Sequence, residues 1–176
     1  MKKNQEYSVG SKLFHWLIAL LVISMLSVSF FLEDFPEVIR PTAIMWHKSI
    51  GITVLLLMLL RGLWIIQSGK PELPAAVPQW ERFLSHFVQY SFYLLLILMP
   101  ICGWVMSVSG GKVPSFFGLF NLPLPGIIPN KNLANWMFEA HRTIAWLIIG
   151  FLFLHIAGAL KHHFFDKDSV LRRIWF

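Results

Sequence analysis

Residues 137–163 read MFEAHRTIAWLIIGFLFLHIAGALKHH. A helix needs about 20 residues to cross the apolar part of a bilayer, and this run is long enough. It carries two histidines in its apolar length, His141 and His155. They are 14 residues apart, close to four turns at about 3.6 residues per turn, so they share nearly one face. The rise along the helix separates them by about 21 Å. Ionisable side chains at membrane depth are costly and usually functional. One helix therefore offers an imidazole at each of two membrane levels.

Three more apolar blocks accompany this one, at 13–32, 42–66 and 83–109. Hydrophobic residues make up 56% of the 176 and charged residues 14%. A soluble domain carries about 25% charged residues. This composition argues against a water-soluble globular protein and excludes a disordered chain. One cysteine, Cys102, excludes an intrachain disulfide framework. The net charge of +6 does not point to nucleic acid, because the basic residues punctuate apolar blocks instead of forming a soluble face. Block 13–32 begins like a signal peptide, with Lys2, Lys3 and Lys12 before it. Its apolar run is too long and no small-residue cleavage site follows, so it reads as a retained anchor. Pro36 and Pro41 interrupt the chain before the second block, and Pro71, Pro74 and Pro78 before the third. The expected fold is all-α, a single integral membrane four-helix bundle over 1–176. Segment 110–136 is its outer loop on the membrane surface, and 164–176 a basic, aromatic tail at the inner leaflet.

Lys and Arg set the orientation. Lys2, Lys3, Lys12, Arg61, Lys70, Arg82, Lys161, Lys167, Arg172 and Arg173 fall on one side; Arg40, Lys48, Lys112, Lys131 and Arg142 fall on the other. Ten against five puts both termini in the cytoplasm, on one side of the membrane as four helices require.

The chain has seven histidines. His162 and His163 sit at the cytoplasmic end of the last helix, where snorkelling explains them. His47 and His141 lie near the outer level, and His15, His86 and His155 near the inner. Zinc would want a compact tetrahedral set, and no HExxH or CxxC is present. Bis-histidine haem wants one imidazole on each side of a flat porphyrin, with room beside each ligand. Residues three or four away share a face and should be small. His15 has Ala19, His47 has Gly51, His141 has Ala145, and His155 has Gly158 and Ala159. His86 has Phe83, Gln89 and Tyr90. The expected pairs are His47 with His141 and His15 with His155, holding two haems in the bundle core. His86 is left as a propionate partner or part of a quinone site.

HW in the first block, WHKSIG in the second, LLLILMPICGW in the third, EAHRTIAW and LHIAGALKHHF in the fourth, and the tail DSVLRRI together resemble the bacterial cytochrome b561 family. They also resemble the membrane cytochrome b subunits of formate dehydrogenase and hydrogenase. The resemblance covers nearly the whole chain and rests on the constellation of motifs. It implies two b-type haems with the same four histidine ligands, in a bundle set in a bacterial inner membrane. It also implies the activity described for small stand-alone members, oxidation of superoxide with reduction of ubiquinone, for which no protein partner is required.

Two imidazoles per iron leave no open position, so electron donation is expected to be outer-sphere. An anionic donor gains from electrostatic focusing. Lys112 and Lys131 are candidates for steering it, and Lys48 and Arg142, each following a ligand, for binding haem propionates. Glu33, Asp34, Glu37 and Glu139 oppose that field. A quinone pocket needs an apolar slot with hydrogen-bond donors. His86, Gln89, Tyr90 and Trp16 are candidates at the cytoplasmic end, and Trp104 and Trp136 at the outer end. Two other readings stay open: a cytochrome b subunit linking a dehydrogenase or periplasmic redox partner to the quinone pool, and a histidine-relay transporter. The second lacks midplane carboxylates.

Overall fold

The computed structural model describes residues 6–74 and 76–176. Lys2 and Lys3 of the basic start lie outside them. Four helices account for most of the chain: α1 Val9–Ser29, α2 Arg40–Ser68, α3 Gln79–Ser109 and α4 Lys131–Phe164. All four are long and apolar enough to cross a membrane.

Local chemistry sets the helix ends. Ser8 caps α1, its Oγ accepting from the Ser11 N–H at 3.3 Å. Pro41 lies in the first turn of α2, where a missing N–H costs nothing. Gly69 ends α2 at φ 72°, a conformation that disfavours a side chain. Pro78 precedes α3, and the Asn130 side chain caps α4 by accepting from the Leu133 N–H at 3.1 Å. α4 thus begins six residues before the apolar run at 137, and α1 stops three residues short of 32.

α3 packs along α4, α1 on α2, and α2 on α3. Among the described residues, neither α1 nor α2 comes backbone-close to α4 over an extended stretch. The core is Ile18, Leu26, Val54, Met58, Leu95, Leu96 and Ile148. Large apolar side chains such as Leu20, Leu63, Phe83 and Phe153 point outward, as lipid-facing residues do.

Both ends of the bundle are tied. At one end the 110–130 loop folds into a two-residue hairpin, Ser115–Phe116 against Phe120–Asn121, turning through Phe117 and Gly118 at positive φ. It does not lie loose on the surface: Ser49 of α2 donates to the Ser115 carbonyl at 3.2 Å and accepts from the Phe117 N–H at 2.8 Å. At the other end the termini meet. The tail turns through a 3-10 segment at Leu171–Arg173, and its Arg173 carbonyl accepts from the Tyr7 N–H at 3.2 Å. Trp64 donates to Ser8 Oγ at 3.0 Å and lies against Gly10, where a Cβ would fall 2.5 Å from its ring.

Candidate functional site

α4 brings His141 and His155 to two partners. His155 faces His15 of α1, with ring centroids 6.1 Å apart and planes at 56°. His141 faces His47 of α2, with centroids 6.2 Å apart and planes at 60°. All four rings are partly buried. The two pairs lie at opposite ends of the bundle, His141 and His47 toward the hairpin loop, His15 and His155 toward the termini.

Neighbouring residues fix the rings. His141 Nδ1 is 2.9 Å from the Met99 carbonyl, which accepts the ring proton and leaves Nε2 with its lone pair. Pro100 stands next in α3, inside the helix. Gly103, one turn on, is where a Cβ would come within 3.1 Å of the His141 ring, so the glycine makes room for that imidazole. His47 keeps a buried Nδ1 with no hydrogen-bond partner. At the terminal end Phe92 packs edge-on to His155 at 5.5 Å, and Trp16 edge-on to His15 at 5.3 Å.

Cations gather at the loop end. Lys48 donates to Ser107 Oγ at 2.7 Å, and Ser107 donates to the Lys112 carbonyl, so one hydroxyl joins the two lysine residues. The Lys112 and Lys131 side chains are exposed. Arg142 is exposed and paired with Glu139 at 2.8 Å. On α3, His86 and Tyr90 are exposed neighbours with centroids 6.4 Å apart, and Lys70 sits over the Tyr90 ring at 5.3 Å. Gln89 donates to Ser85 at 3.2 Å. Trp16 is engaged elsewhere. Its indole N–H donates to the Ile174 carbonyl at 3.0 Å and its ring packs on Trp175. No hydrogen bond or ring contact joins Trp16 to His86, Gln89 or Tyr90. At the loop end, Trp104 donates to the Leu122 carbonyl at 2.8 Å and Trp136 is exposed.

His162 does more than snorkel. Its Nδ1 is 2.7 Å from Asp168, while Lys161 bridges Glu81 at 2.9 Å and Asp166 at 2.7 Å. Glu81, His162 and Asp166 converge as metal ligands would, yet the Lys161 ammonium already supplies their positive charge. The network ties the start of α3 to the end of α4 and the tail.

The sequence profile of prokaryotic cytochrome b561 matches residues 6–176. The chain belongs to that family. It is 32% identical to cytochrome b561 homolog 2 of Escherichia coli over 173 residues, covering 97% of this chain and 91% of the relative. It is 34% identical to the probable superoxide oxidase CybB of Yersinia pestis over 180 residues, covering 97% and 96%. It is 27% identical to cytochrome b561 homolog 1 of Escherichia coli over 164 residues, covering 91% of each. As a prokaryotic cytochrome b561 it is a membrane electron-transfer protein of the oxidoreductase class, in a family that binds haem b.

The residues present fit haem b. A metal–imidazole bond of about 2 Å, and about 1 Å more to the ring centre, put two axial rings roughly 6 Å apart. Both histidine pairs have that spacing. A Cβ on Gly158 beside His155 would meet nothing within 4 Å, and one on Gly51 beside His47 would meet only Met25 at 3.8 Å. An apolar cavity of about 450 Å³, lined by Leu21, Met25, Val28 and Ile50, opens against His47. The unpartnered His47 nitrogen is the kind of buried atom that calls for a ligand.

Proposed function

We propose that this cytochrome b561 binds two haems b and passes electrons from superoxide, at the periplasmic loop end, to ubiquinone in the membrane. The observation that carries the reading is the pair of facing imidazole couples at two levels of one bundle, 6.1 and 6.2 Å apart. Bound haem supplies one-electron redox chemistry, with potentials tuned by its surroundings.

The residues have separate tasks. His15 with His155, and His47 with His141, would hold the two haems. With both imidazoles of a pair committed to the metal, a small donor would be kept to the edge of the site. Lys112 and Lys131 steer the anion; Lys48 and Arg142 would reach haem propionates only by giving up Ser107 and Glu139. His86, Gln89 and Tyr90 offer polar groups to a quinone on the lipid-facing side of α3 near the termini; Trp16, its N–H already engaged, supports the wall behind His15. Two superoxide anions each lose one electron to become dioxygen, and ubiquinone takes up both electrons and two protons to become ubiquinol. The excess of Lys and Arg at the terminal end supports cytoplasmic termini and an inner-membrane location. The name of the Yersinia pestis relative supports superoxide as the substrate.

Stopped-flow mixing of the purified, oxidised protein with superoxide tests this directly. The haem absorbance should show reduction, and added ubiquinone should reoxidise it. Failure of superoxide to reduce the protein would reject the enzyme and favour a subunit that takes electrons from a docked redox partner.

A further inference from the structure

Arg61 is 14 residues beyond His47 on α2, the spacing that separates His141 from His155 on α4. Four turns bring it to the level of the terminal-end pair, where α4 presents a histidine and α2 presents a guanidinium. That guanidinium lies over the Tyr93 ring of α3, 5.5 Å from its centroid. Arg61 Nε is buried without a hydrogen-bond partner, and so is the Tyr93 hydroxyl. Among the described residues no carboxylate pairs with Arg61. Tyr7, just before α1, is within electrostatic reach of both Arg61 and Tyr93, and burial pushes its phenol pKa up, so it remains a proton donor. The Arg61 charge also reaches His15 and His155.

Arg61 Nε and the Tyr93 hydroxyl thus lie at the level of the His15–His155 pair without an acceptor. Burying a lone cation is expensive, and a neutral donor left unpaired adds to the cost. A neutral quinone carbonyl would satisfy hydrogen bonds but leave the charge unbalanced. A carboxylate answers both needs, and the planar fork of arginine suits it. The loop-end cations differ, since Lys48 has Ser107 and Arg142 has Glu139.

We propose that Arg61, supported by Tyr93 and Tyr7, binds a propionate carboxylate of the haem held by His15 and His155. This rests on the di-haem reading above. A lipid phosphate would offer similar oxyanion chemistry from another source, so the test must observe the haem itself.

The test compares purified holoprotein with its Arg61→Gln, Arg61→Lys and Tyr93→Phe variants. Haem per chain is measured, together with the propionate-bending bands in resonance Raman spectra; His155→Ala supplies the spectrum of the loop-end haem alone. Arg61→Gln should either move the terminal-end propionate band to lower frequency or lose one of two haems. Arg61→Lys should reverse most of either change, and Tyr93→Phe should shift the band less, in the same direction. Two retained haems with an unmoved band in Arg61→Gln would overturn the proposal and leave the guanidinium to a lipid or another anion. Loss of one haem from both the Gln and Lys variants would also overturn it, because shape and not charge would then matter. Fewer than two haems in the unmodified protein would instead be a failure of the underlying di-haem reading.

Discussion

The loop-end and terminal-end histidine pairs have nearly the same geometry and different surroundings. At the loop end Lys48 is half-buried and bonded to Ser107, Arg142 is exposed and paired with Glu139, and Lys112 and Lys131 are exposed. At the terminal end the pair is walled by Trp16, which the tail holds through Ile174 and Trp175, and among the described residues no carboxylate pairs with the nearby guanidinium. Ligand identity would not by itself distinguish two haems held by such pairs in one bundle. Burial and the fixed charges around them would. The exposed, cation-rimmed end suits entry of a small anion, and the walled end suits delivery into the membrane.

The strongest way to break the comparison is to remove ligands one level at a time. His47→Ala or His141→Ala should cost the loop-end haem, and His15→Ala or His155→Ala the terminal-end haem, each leaving one of two by haem assay. His86→Ala should leave both in place and weaken only quinone reduction. If His86→Ala removes the terminal-end haem while His15→Ala retains it, the pairing is wrong.

Gly103→Val probes one level without touching a ligand. The added side chain would press on the His141 ring, from which a Cβ is only 3.1 Å. Overpacking of this kind costs about 1–3 kcal/mol, roughly 5- to 150-fold in loop-end haem affinity. Haem titration should show that loss with the other haem unaffected; equal loss of both would mean general misfolding.

Charge reversal sharpens the contrast between the ends. Lys112→Glu or Lys131→Glu should slow reduction by superoxide roughly 2- to 10-fold with both haems retained, and rising salt should slow the unmodified protein. Exposed charges are screened beyond about 8 Å at physiological ionic strength. Stopped-flow rates indifferent to salt and to both substitutions would reject steering.

The histidine pairs were legible because imidazoles in apolar runs are rare and helical arithmetic assigns them a face and a depth. Other features depend on contacts that no local pattern records. α4 starts early because Asn130 caps it, and α1 stops early where the Ser27 and Ser29 hydroxyls turn back onto the Ile23 and Met25 carbonyls. The hairpin hangs on Ser49, 66 and 68 residues from its partners Ser115 and Phe117. Trp16 reads as a quinone donor until its carbonyl partner, 158 residues away, is known. Arg61 counted as one more cytoplasmic cation; its 14-residue spacing from His47 was a signal, but its burial required the fold.

The smallest expected effect concerns that distant contact. Trp16→Phe removes the hydrogen bond to Ile174 and should lower stability by about 1 kcal/mol. Thermal unfolding should show it, with both haems still bound.

The account stands on two haems held by four histidines, and a pyridine haemochrome assay on the purified chain measures that number most directly. Two haems b per chain, extractable because no CxxCH attaches them, is the predicted result. One haem per chain, or none, would contradict it.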